Sequence, residues 1–136
     1  MTTTAWRFIG TEGADAAVLR LKQLDSQEVM DVQDIAVLRW PQYASGPQVQ
    51  EHVTDEGSMT SSLARRIRKA RIDGAMLQAV KDDMKLGTSA LIVLSADAVI
   101  DTVAEAFQGQ AMELIRSDLS VQQQDALRTA FSDRPR

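Results

Sequence analysis

Five cations fall within seven residues, in the run Arg65-Arg66-Ile67-Arg68-Lys69-Ala70-Arg71. Arg65, Arg66, Arg68, Lys69 and Arg71 together have the charge density to neutralise the phosphates of a nucleic acid or an anionic lipid. They would equally meet an acidic patch on a protein. The same stretch also carries Met59, Leu63, Ile67 and Ala70 at helical spacing, so it reads as an amphipathic helix whose charged side is solvated. No aromatic interleaves the cations, and the chain as a whole has a net charge of −4. That balance argues against nucleic acid and favours an acidic protein surface as the partner. Peripheral contact with an anionic membrane is the remaining option for this helix.

The other groups with chemical potential are sparse. His52 is the single histidine; it has no nucleophile pattern beside it and cannot form a multi-histidine metal site. Asp82-Asp83 and Asp55-Glu56 are adjacent in sequence, so on a helix each pair splays instead of sharing a face. Gly10-Thr11-Glu12-Gly13 follows a strand and opens a helix, the context of an anion site, yet Glu12 and Asp15 oppose an anion there. No glycine pattern matches a phosphate loop or a dinucleotide fingerprint. Cysteine is absent, which removes disulfides, thiolate metal sites, iron–sulfur clusters and cysteine nucleophiles together. Beyond His52, Asp73 and Tyr43 no converging polar groups can be named. No catalytic, cofactor or metal residue is therefore assigned, and a non-enzymatic role is expected.

The elements that must position these residues follow from the apolar pattern. Ala5 to Ile9 predicts a strand closed by Gly10. Ala14, Ala17, Val18, Leu21 and Leu24 recur at helical spacing. Asp34 to Trp40 predicts a second strand stopped by Pro41, which cannot donate to a ladder. Strand, helix and strand in this span make a crossover with the two strands parallel. Gln48 to Val53, with only Val49 and Val53 apolar around Glu51, predicts a short exposed edge strand folded back on the second. Residues 54–58 read as a linker, and 58–71 as the basic helix. Asp73 is placed to cap a helix bearing Met76, Leu77, Val80 and Met84, with Gly87 terminating it. Thr88 to Leu94 predicts a strand apolar on both faces. A helix through Val103 and Phe107, a last strand from Ala111 to Arg116, and a closing helix over 121–131 complete the pattern. Trp6, Trp40 and the methionines are expected mainly in the core.

Two strand–helix–strand units predict an α/β sandwich of the α+β kind. Its arrangement would be ferredoxin-like, with split βαβ units, an extra edge strand and extra helices. Both crossover helices would lie on one face of the sheet. At 136 residues, with 44% hydrophobic and 25% charged residues, the chain has the size and composition of one globular domain. Residues 1–132 are expected to form it, with a frayed tail at 133–136. No apolar run reaches the ~20 residues that span a bilayer. The first residues lack the basic and apolar regions of a signal peptide, so a soluble cytoplasmic protein is expected.

The early strand, the helix ending near Leu24, the stretch from Asp31 to Leu38, and above all Gly87-Thr88-Ser89-Ala90-Leu91 leading into a strand resemble a known pattern. So does Glu113-Leu114-Ile115-Arg116-Ser117-Asp118-Leu119-Ser120. The chain resembles the bacterial and archaeal DUF1269 family of unknown function, often labelled as predicted membrane proteins. Members usually carry a glycine-rich hydrophobic hairpin between the second and third thirds of the chain. Here Gly57 to Arg71 stands in its place and is basic, so the membrane label does not carry over. The resemblance implies no catalytic residue.

These readings converge on a small domain that works by self-association or by binding a protein partner. Its expected surfaces are the basic run and the edge strand with Val49, Glu51 and Val53. A ligand binder or enzyme with a pocket on the sheet face is the alternative, and peripheral membrane association the third.

Overall fold

The computed structural model describes residues 2–50, 71–95, 103, 107, 112–118, 121, 122, 124, 125 and 128. Five strands form one sheet: β1 (Thr2–Ile9), β2 (Val32–Arg39), β3 (Gln48–Gln50), β4 (Thr88–Ser95) and β5 (Met112–Ser117). Among the described residues two whole helices, α1 (Gly13–Ser26) and α2 (Gly74–Asp83), pack on it, and the class is α+β. The strand order is β3-β2-β4-β1-β5, with every pairing antiparallel.

Because β1 and β2 are both antiparallel to β4, they run parallel to each other with β4 between them. This is the split crossover expected for β1-α1-β2. β4 and β5 are likewise parallel and flank β1. The helix that a ferredoxin-like arrangement places between β4 and β5 lies mostly outside the described residues. Of that connection, Val103 is helical, and Val103 and Phe107 pack into the same core as α1.

The side-chain alternation of the strands divides the interior in two. On one face Trp6, Phe8, Ile35, Val37, Leu91, Val93, Met112 and Leu114 meet Ala14, Ala17, Val18, Leu21 and Leu24 of α1. On the other, Ala5, Ala36, Leu38, Ala90 and Ile92 meet Val80 and Met84 at the α2 end. Three alanines on adjacent central strands leave room for the side chains that α2 presents. Buried on both faces, β4 reads as a continuous apolar run.

Local details refine the sequence reading. β1 begins at Thr2 and β2 at Val32, each earlier than the apolar pattern predicts, and β5 spans Met112–Ser117. The polar Thr2–Thr4 start of β1 gives no hydrophobic alternation, whereas β2 starts at Val32, which is buried in the core. Gly87 does not terminate α2. That helix ends at Asp83, where Met84 turns extended (φ −73°, ψ 153°). Gly87 instead takes a positive φ of 81° in the turn into β4 and donates its N–H to the Trp40 carbonyl at 2.7 Å. At the start of α1, Gly13 is required by close approach: a Cβ there would lie 2.7 Å from Phe8 Cβ.

Candidate interaction surface

The sheet has two edges, β3 and β5. β3 pairs with the end of β2 through Val37–Gln50, Leu38–Val49 and Arg39–Gln48. Its outward direction follows from the ladder. Trp40 donates its N–H to Thr88 and accepts from Gly87, so its backbone polar groups face β4. Alternation then turns those of Leu38 toward β4 as well, and those of Val37 and Arg39 toward β3. Gln48 and Gln50 answer them, while the amide and carbonyl of Val49 turn to the outer side. The Val49 side chain is half-buried against the second core; those of Gln48 and Gln50 are exposed.

Beyond the end of β3 the edge of β2 is closed by its own side chain. Asp34 is 1% exposed, and its carboxylate accepts the Ile35 N–H at 3.0 Å and the Ile72 N–H at 2.9 Å. Arg71 Nη1 stands 3.8 Å from the same carboxylate. Arg71 is thus drawn partly inward as the counter-charge of a buried group. Asp34 anchors the chain where it enters α2, and Asp73 then caps that helix by accepting from Ala75 N–H at 3.0 Å. The burial of Asp34 was not legible in advance; the one signal was an acidic residue heading an apolar strand.

Of the sequence-predicted surface, Val49 and Arg71 are placed in this way. Glu51, Val53, Arg65, Arg66, Arg68 and Lys69 lie outside the described residues, as does His52. Among the described residues the structure brings Val49 to the outer strand β3 and Arg71 beside Asp34 on the neighbouring strand β2.

The remaining candidates have structural explanations. Asp82 and Asp83 splay as expected: Gln78 donates to Asp82 at 3.0 Å, and Arg116 donates to Asp83 at 2.7 Å. The hydrogen bond to Asp83, and then the charge of that carboxylate, hold the Arg116 guanidinium above its ordinary pKa. At the start of α1 the buried Ser89 hydroxyl accepts the Ala14 N–H at 3.2 Å. A side chain thus fills the position an anion would take. Trp6 is buried and donates to Thr4 Oγ1 at 3.0 Å; Trp40 packs on the second core and donates to the Ala44 carbonyl at 3.0 Å. Tyr43 is exposed. Among the described residues no group of three or more His, Cys, Asp or Glu side chains is placed to hold a metal.

The family model for "Protein of unknown function (DUF1269)" matches residues 49–132, well over half of the chain. The chain belongs to the DUF1269 family. No curated protein and no solved structure matches it. The DUF1269 match starts at Val49 on β3 and runs through the basic segment, α2, β4 and β5. Among the described residues no helix is long and apolar enough to cross a membrane.

Proposed function

We propose that this DUF1269 protein is a non-enzymatic interaction domain, formed by residues 1–132, that acts by self-association or by binding a protein partner in the cytoplasm. One observation carries the reading. Both faces of the sheet are taken up by the protein's own aliphatic packing, by α1 on one side and the α2 end on the other. Among the described residues β3 is an outer strand of the sheet, and the sequence that follows it bears Arg65, Arg66, Arg68 and Lys69. Edges and charged helices recognise other chains by main-chain pairing and by charge.

The alternative of a ligand pocket on the sheet face has less support. Ala5, Ala36, Leu38, Ala90, Ile92 and Val80 are each at most 1% exposed, so the face where such a pocket would form is filled by packed side chains. Peripheral binding to an anionic membrane rests on the basic segment alone.

Native mass spectrometry of the protein purified gently from its own cells tests the proposal. A homo-oligomer or a stoichiometric protein complex is the expected result. A monomer carrying a stoichiometric small molecule would overturn it and direct attention back to the sheet face.

A further inference from the structure

We draw no further inference here: the strongest candidate, the exposed apolar side chains of Ile9, Tyr43 and Leu86 at the end of the sheet where β1 and β2 finish and β4 begins, carries no proposal because nothing in the structure shows what covers them.

Discussion

The Asp34 carboxylate accepts the Ile72 amide at 2.9 Å, joining positions 38 residues apart in the chain. With Ile35 bonded to the same group, one buried side chain closes the edge of β2 and fixes where the chain turns into α2. Replacing Asp34 by alanine leaves two amides without this acceptor and removes the carboxylate beside Arg71. Each unsatisfied buried group costs roughly 1–3 kcal/mol, so Asp34→Ala should lower unfolding stability by about 3 kcal/mol in urea titration. Amide exchange at Ile72 should accelerate more than at Val80. Unchanged exchange at Ile72 would show that the bond does not anchor this segment.

The basic run divides into two kinds of residue. Arg71→Glu would set a second carboxylate beside buried Asp34 and should reduce stability measurably. Reversing Arg65, Arg66, Arg68 and Lys69 to glutamate should leave the melting temperature nearly unchanged while abolishing binding to an acidic partner. If binding persists in that fourfold variant, the segment is not the docking surface. If Arg71→Glu melts like the wild type, its proximity to Asp34 contributes nothing to folding.

Two glycines separate packing from backbone freedom. Gly13→Ala would place a Cβ 2.7 Å from Phe8 Cβ, and overpacking of this kind costs roughly 1–3 kcal/mol. Gly46→Ala meets nothing within 4 Å and should be neutral or stabilising by up to about 1 kcal/mol. Calorimetry of the two variants side by side checks both, and equal melting temperatures would contradict the close approach of α1 to β1.

Ser89→Ala deletes the hydroxyl that accepts the Ala14 N–H. An unmet amide at the helix start should cost about 1–2 kcal/mol. Added phosphate should give no compensating stabilisation if Glu12 and Asp15 repel anions there. Phosphate-dependent recovery of the melting temperature would instead reveal a latent anion site.

Much of the secondary structure was legible because hydrophobic burial writes a local signal. Ala14, Ala17, Val18, Leu21 and Leu24 repeat at the helical period, and all are buried. The run from Ala90 through Leu94 is uniformly apolar because both its faces are covered. Pro41 after β2, and Asp73 before α2, act through their own backbone or side chain, so they too could be read residue by residue. The parallel relation of β1 and β2 followed from the length of the connection between them.

The tertiary structure alone decided which polar groups are interior. Asp34 and Ser89 look in sequence like other strand-end polar residues. Their burial arises because the 71–72 segment and the start of α1 bring backbone amides to them from 38 and 75 residues away. Gly87 looked like a helix terminator, but its positive φ serves a turn whose partner carbonyl belongs to distant Trp40. The outward direction of the Val49 backbone, too, is set by pairing with β2, since a strand's own sequence does not say which neighbour its amides face. Local periodicity fixes what a segment becomes; hydrogen-bond partners at long range exist only once the sheet has assembled.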